Sequence, residues 1–281
     1  MQPVQVFEAL ASEKQAVKEY ALAHPEIRHR ELAWRMIDED VVCVGPSTVY
    51  RILLEQNLMN RHRGRRKRYR EEQEKATRPD QIWGTDFMYL TIGKEQYFFT
   101  AFIDEYSRYI VHWELMSSMD GRALSIAAQA ALQTLPRDSE GRAMIQPVIR
   151  NDNGSGYISQ EFGEVLEYHR LVHCRIRPHC PEENGVIERA NRTFREKLDE
   201  LELTSRSEAE VALASIVTHY NTERLHSALG YKTPVTYYRG DPARVDSERL
   251  LKLRQARHQR KEANLQLRQK TLHLSADERI A

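Results

Sequence analysis

Cysteine is scarce. The 281 residues contain three, Cys43, Cys174 and Cys180, an odd number and far too few to staple a small secreted scaffold. No apolar run approaches the roughly 20 residues of a membrane-spanning helix. Residues 1–11 show neither a basic stretch leading into an apolar core nor a small-residue cleavage pattern. Net charge is also nearly absent, at +1, although charged residues make up 30% of the chain, so a surface for polyanions must come from local clustering. These absences argue against a disulfide-bonded secreted module and a membrane protein, and fit a globular chain in a reducing cytoplasm. With 41% hydrophobic residues and a length suited to about two domains, a full core is expected.

What is present begins with short helices, expected at Ala16–Leu22, Arg28–Met36 and Ser47–Leu54. The last follows the Gly45-Pro46 breaker, with Ser47 as its N-cap. A short helix, a Gly-bearing turn and a second helix that opens Ser-Thr is the layout of a helix-turn-helix. Tyr50 and Arg51 would then stand on the helix that enters the major groove. A plain helical packing module is the alternative. From Arg61 to Arg70 there are seven Lys or Arg in ten residues without apolar periodicity. Such like charges repel unless a polyanion neutralises them, so Arg61, Arg63, Arg65, Arg66, Lys67 and Arg68 read as phosphate contacts in an extended linker rather than as a solvated tether. Arg78-Pro79-Asp80 then marks new structure.

From Gln81 the period changes to that of strands. Ile82–Leu90, Gln96–Ile103 and Tyr109–Leu115 are aromatic and β-branched runs separated by turns, an antiparallel meander. A helix over 121–135, a strand over 147–150, a helix over 160–169, a strand over 172–176 and a late helix containing Glu188 follow. Three strands and then alternating helices and strands make an α/β domain, a mixed sheet covered by helices in ribonuclease-H-like order. The late helix carries an apolar stripe of Ile187, Phe194, Leu198 and Leu201, with Glu188, Arg192 and Arg195 on its shoulder at i, i+4 and i+7.

Acids fall at informative points of this scaffold. Asp86 interrupts an apolar strand, where an ionised carboxylate is costly unless a cation or hydrogen bonds compensate. Asp152 closes the fourth strand before the turn Asn153-Gly154-Ser155-Gly156, at the edge where α/β sheets commonly bind ligands. Singly, Asp86 reads as a satisfied strand aspartate, Asp152 as a turn-former and Glu188 as half of a surface pair with Arg192. Together, a first strand, a fourth strand and a late helix can deliver three carboxylates to one point. Hard oxygen ligands suit Mg²⁺ or Mn²⁺, and two such ions can clamp the attacking and leaving oxygens of an in-line phosphoryl transfer.

Trp83-Gly84-Thr85-Asp86, Asp152-Asn153-Gly154-Ser155 and Asn184 to Arg192, with 35 residues between Asp152 and Glu188, resemble the DDE signature of retroviral-integrase-like transposases, those of bacterial insertion sequences above all. The resemblance spans about 79–240 and includes Tyr220-Asn221-Thr222-Glu223-Arg224-Leu225-His226 through Pro234. It implies that Asp86, Asp152 and Glu188 ligate two Mg²⁺ or Mn²⁺ ions, and that Arg195 contacts DNA near the scissile phosphate with Arg192 beside it. The implied reaction is cleavage at element ends followed by transfer of a 3′-hydroxyl into target DNA, by a homo-oligomer on double-stranded DNA. The zinc-binding His-His-Cys-Cys module of retroviral integrases is missing, since residues 1–78 hold only Cys43. End recognition then falls to the helix-turn-helix, with or without a DNA-binding partner from an upstream reading frame. A nuclease without strand transfer and a DNA-binding regulator with a dead core are the alternatives, the second disfavoured by three intact acids.

The expected division is therefore a helix-turn-helix region over 1–60, a basic linker over 61–78, an integrase-like core over 79–240 and a basic helical tail over 241–281. The tail alternates Leu250, Leu253 and Leu267 with Lys252, Arg254, Arg257, Arg260, Lys261 and Arg268. It reads as a solvated helix or as a DNA or subunit contact. Asp104 is assigned a structural role or one supporting the metal ligands rather than a place among them, His226 either a DNA-facing or a packing role, and a zinc site from His173, Cys174, His179 and Cys180 is disfavoured because strand neighbours alternate faces.

Overall fold

A computed structural model of the chain describes residues 5–59, 75–152, 154–177 and 184–277. The basic run Arg61, Arg63, Arg65, Arg66, Lys67 and Arg68, and the pair His179 and Cys180, lie outside the described residues. The chain divides into two compact units, Met1–Arg68 with Asp241–Ala281, and Tyr69–Gly240.

In the first unit, helices α1 (Ala11–Ala23), α2 (His29–Asp38) and α3 (Pro46–Glu55) are each too short to persist alone and depend on a shared core. Val17, Leu32, Ala33, Met36, Val44, Val49, Ile52 and Leu53 supply it. The N-cap of α3 is Gly45, not Ser47, because Pro46 takes the first helical position. Its ring presets φ, and its missing N–H is one that would have no partner there.

The C-terminal helix α9 (Pro242–Asp277) is not a detached tail: it belongs to this same unit. Polar side chains at helical spacing fasten it to α1 and α2. Arg249 reaches both carboxylate oxygens of Asp38 at 2.8 and 2.6 Å and lies over Trp34. Lys252 pairs with Asp40 at 2.6 Å, Arg260 with Glu13 at 2.8 Å, and Asn264 donates to the carbonyls of Val6 and Glu8. The leucines Leu250 and Leu267, which alternate with the basic residues of this helix, are about half exposed.

The second unit is built on a five-stranded sheet of order β3-β2-β1-β4-β5. β1 (Ile82–Ile92), β2 (Glu95–Asp104) and β3 (Ile110–Met116) form an antiparallel meander, and β4 (Val148–Asn151) and β5 (His173–Arg175) add parallel to β1. The period-2 alternation of β1 sends Trp83, Thr85 and Phe87 to one face. There, α4 (Gly121–Leu132) and α5 (Gln160–Tyr168) cover Trp83, Phe102, Tyr157 and Phe162. Met88 and Ile92 go to the other face, which packs on α6 (Gly185–Leu198) and α7 (Arg206–Thr222) through Phe99, Ile187, Phe194, Leu213 and Tyr220. Helix α6 ends at Leu198, so Leu201 falls outside its stripe and is exposed.

A buried carboxylate closes this unit. Asp80, only 2% exposed, accepts hydrogen bonds from Trp83 Nε1 at 3.1 Å and from the Tyr238 hydroxyl at 2.8 Å, with Arg239 at 3.3 Å. Tyr238 lies on α8 (Pro234–Tyr238) and stacks on Tyr109 of the β2–β3 turn. Asp80→Ala leaves the Trp83 and Tyr238 donors unsatisfied, a cost of about 2–4 kcal/mol. Thermal unfolding followed by circular dichroism should show a melting temperature several degrees lower; a value unchanged from the parent would remove Asp80 from this closing role.

Candidate active site

The strand pairing determines where two acids meet. The parallel register Ile82↔Val148, Trp83↔Ile149, Gly84↔Arg150, carried two residues further, brings Asp152 level with Asp86. Asp152 follows the last residue of β4, and its Oδ1 accepts from Gly154 N–H at 2.9 Å. Gly156, in the same turn, lies against the Met119 carbonyl, where a Cβ would stand 2.5 Å from that oxygen. Behind Asp152, Asn151 is fully buried. It donates from Nδ2 to the Asp152 carbonyl at 2.6 Å, and its Oδ1 lies 2.7 Å from His173 Nε2. His173, considered as a zinc ligand, is thus engaged in holding this strand end. No group of three His, Cys, Asp or Glu able to hold a metal ion is present among the described residues.

Asp86 shares a strand face with Met88 and therefore looks toward α6. Its Oδ2 accepts from Asn191 Nδ2 at 3.2 Å and its Oδ1 from Phe87 N–H at 2.8 Å. Asp86, Phe87, Met88, Glu188, Asn191, Arg192 and Arg195 line one cleft of about 330 Å³. Glu188, Arg192 and Arg195 follow one another along α6 on an exposed edge, and Arg192 pairs with Glu196 at 3.0 Å. Asp152 stands beside the cleft rather than in its wall, within electrostatic reach of Asp86. Burial, with the negative charges of Asp152 and Glu188 added, pushes the Asp86 carboxyl up to about 7, against the two hydrogen bonds that favour its charged form.

At its acidic end the cleft offers oxygen. Besides the carboxylates, Asn191 Oδ1 is buried and has no hydrogen-bond partner among the described residues. This hard-oxygen donor set fits Mg²⁺ or Mn²⁺. Asp86 and Glu188 line the cleft and Asp152 stands beside it, and among the described residues the three do not form a group close enough to hold a metal ion.

Asn191 was not assigned a role from sequence, yet a signal exists: it occupies the i+4 place of the buried Ile187, Phe194, Leu198 stripe, where an apolar residue is expected. Tyr50 and Arg51 belong to the other unit. Both are exposed on α3, Tyr50 edge-on to His29 and Arg51 bonded to Thr48. Asp104 is fully buried and accepts from Asp80 N–H and from the N–H and hydroxyl of Ser107, a structural role.

Comparison with known families follows the same geometry. Residues 76–181 and 169–234 match two family descriptions that both read Integrase core domain. Residues 76–234 carry an integrase core domain. That core contains every element of the cleft. A transposase for insertion sequence element IS904 of Lactococcus lactis is 28% identical over 162 residues, 57% of this chain and 62% of the relative. A transposase for IS629 of Shigella sonnei is 27% identical over 72% of this chain and 70% of its own length. The Pol polyprotein of equine infectious anemia virus is 29% identical over 55% of this chain and 13% of its own length. The chain thus spans less than two thirds of the Lactococcus protein and a small part of the viral one. A chain of the simian T-cell lymphotropic virus intasome, solved with PP2A regulatory subunit B56 gamma, shares the fold with a TM-score of 0.51 at 17% identity over 80% of this chain and 74% of that one. Among the described residues no helix is long and apolar enough to cross a membrane.

The raised Asp86 pKa has a stability consequence. The folded state holds a proton that the unfolded chain releases near pH 4, so stability present below that pH is lost as pH rises toward 7. In metal-free buffer, Asp86→Asn should therefore raise the melting temperature, and by more at pH 8 than at pH 5. A gain independent of pH would show that the Asp86 carboxyl is not titrating in this window.

Proposed function

We propose that this chain is a DNA transposase of an insertion sequence, cutting at element ends and transferring the exposed 3′-hydroxyl into target DNA by in-line phosphoryl transfer. The observation that carries the proposal is the cleft itself: acids from a first strand and a late helix line it, a third stands beside the first at the end of a parallel strand, and two arginines border it. Asp86, Asp152 and Glu188 would hold two divalent ions, which when bound activate the nucleophile and stabilise the leaving oxygen.

The protein's own groups do the positioning. Asn191 keeps one Asp86 oxygen turned toward α6, and the Asn151 side chain fixes the backbone of Asp152, so two acids are set before substrate arrives. Arg195 lines the cleft, is exposed and has no ion-pair partner among the described residues, which suits a contact to a DNA phosphate; Arg192 flanks it. Water and a 3′-hydroxyl are alternative nucleophiles in one geometry, so hydrolysis and joining need no second site. The basic stretch Arg61 to Arg68 would add sequence-independent backbone contacts, and Tyr50 and Arg51 would read the element ends. Assembly of several chains on double-stranded DNA accompanies this reading.

The test is incubation of labelled candidate element ends with the protein and Mg²⁺, resolving cleaved and joined products. Both should form, and Asp152→Asn should abolish both while duplex binding persists. Mg²⁺ should raise the melting temperature of the parent and not of this variant. Cleavage without any joined product would assign a nuclease instead, and near-normal turnover of Asp152→Asn would overturn the assignment of the acids. Arg195→Ala should slow cleavage and joining at sub-saturating DNA with the Mg²⁺-induced stabilisation unchanged; parent rates would reduce Arg195 to an ordinary surface charge.

A further inference from the structure

The backbone pairing of β1 with β4 stops short of the acids. Its last pair is Gly84↔Arg150, two residues before Asp86 and Asp152, so no paired residues of these strands lie at the level of the carboxylates. A chain of buried hydroxyls spans that gap from behind. Tyr157 lies in the turn that follows Asp152: its N–H donates to the Gly154 carbonyl at 3.0 Å, and the Gly154 N–H in turn donates to Asp152 Oδ1 at 2.9 Å. A Cβ at Gly154 would stand 3.1 Å from Asp152 Oδ1 and 3.5 Å from Tyr157 Cδ2, so carboxylate and ring flank the same glycine.

From this turn the Tyr157 hydroxyl reaches Thr85 Oγ1 on β1 at 3.1 Å, and Thr85 Oγ1 lies 3.4 Å from Thr100 Oγ1 on β2. Thr100 donates to the backbone carbonyl of Asp86 at 3.3 Å. That last bond sets the direction of the others. A threonine hydroxyl has one proton, and Thr100 gives its proton to Asp86, so Thr85 donates to Thr100 and Tyr157 donates to Thr85. All three hydroxyls belong to residues at most 1% exposed, within the layer of Trp83, Phe102 and Phe162. Phenylalanine and valine would fill the same volumes, and a buried hydroxyl costs free energy unless it is bonded. The Tyr157 ring is held too, 5.0 Å from Phe87 and 5.6 Å from Phe162. Thr85 and Phe87, with Thr100 paired opposite Phe87, share the sheet face covered by α4, whereas Asp86 sends its carboxylate to the α6 face. The chain therefore acts on the backbone behind the carboxylate and cannot itself ligate an ion.

We propose that Tyr157 is a positioning residue of the acid site: its hydroxyl, through Thr85 and Thr100, ties the turn that carries Asp152 to the strand that carries Asp86. A divalent ion then meets two carboxylates whose backbones are already held, and side-chain rotation is all that remains. The metal role of the acids rests on the function proposed above; the tie between their two segments rests on the hydrogen bonds alone. Groups that support a ligand without touching the ion change metal affinity by about ten- to a hundredfold when removed.

The test is titration of the full chain with Mn²⁺ alone, followed by calorimetry and by melting temperature. Tyr157→Phe keeps the ring and removes the hydroxyl, Thr100→Val breaks the same chain at its other end, and Thr100→Ser keeps it. Tyr157→Phe and Thr100→Val should each weaken Mn²⁺ binding about tenfold. The double variant should lose little more, because either change cuts the one chain, and Thr100→Ser should bind like the parent. A tyrosine that serves only the core would lower the metal-free melting temperature and leave the Mn²⁺ dissociation constant at the parent value, a result that would overturn the positioning role. So would a double variant whose losses simply add. Should Tyr157→Phe fail to fold, the two Thr100 variants decide, and equal Mn²⁺ affinities in them refute the chain. Parent binding of Mn²⁺ that survives Asp152→Asn unchanged would overturn the acid site and the positioning role together. A parent that binds Mn²⁺ with these differences but leaves element ends uncut would fail the transposase reading alone.

Discussion

The core depends on the parallel pairing of β4 against β1. Only that register brings Asp152 level with Asp86, and the pairing is short, three residue pairs long. It is reinforced from the side by the buried ion pair of Arg150, on β4, with Glu105, at the end of β2. Such a pair contributes little net stability, because both charges surrender their hydration. Its effect is on alignment: a slip of β4 by one residue would move Asp152 to the opposite face of the sheet and part Arg150 from Glu105.

Against this alignment stands the mutual repulsion of the acids. Asp86 is half-buried, close to two other carboxylates, and its proton affinity is raised accordingly. The surrounding fold tolerates that cost because it is well packed elsewhere. Two apolar layers cover the sheet, and the buried carboxylates Asp80 and Asp104 each gather several donors. A destabilised centre within a well-packed frame is what a site built from like charges requires.

Much of this core was legible in the sequence. The strand runs, the helix of Glu188 and the parallel addition of β4 and β5 follow from periodicity and element order, with ends shifted by one to three residues as turns compete with the last hydrogen bonds. The positions of the acids were legible because each interrupts a pattern. Three kinds of feature were not. Ser47 lost the N-cap to the local geometry of Gly45-Pro46. The Asn191–Asp86 hydrogen bond joins elements distant in sequence, and no local spacing encodes such convergence. The seat of α9 is made by Arg249, Lys252, Arg260 and Asn264, and a polar contact face leaves no apolar stripe to detect.

That seat bears on synthesis. The first unit is discontinuous, its opening helices and its closing helix separated by the entire core. During translation α1, α2 and α3 emerge first, with Asp38, Asp40 and Glu13 lacking the basic partners that α9 will supply, while the core is made and folds. Completion of the first unit therefore waits on α9, to which its stability is coupled across sequence separations of 211 and 258 residues.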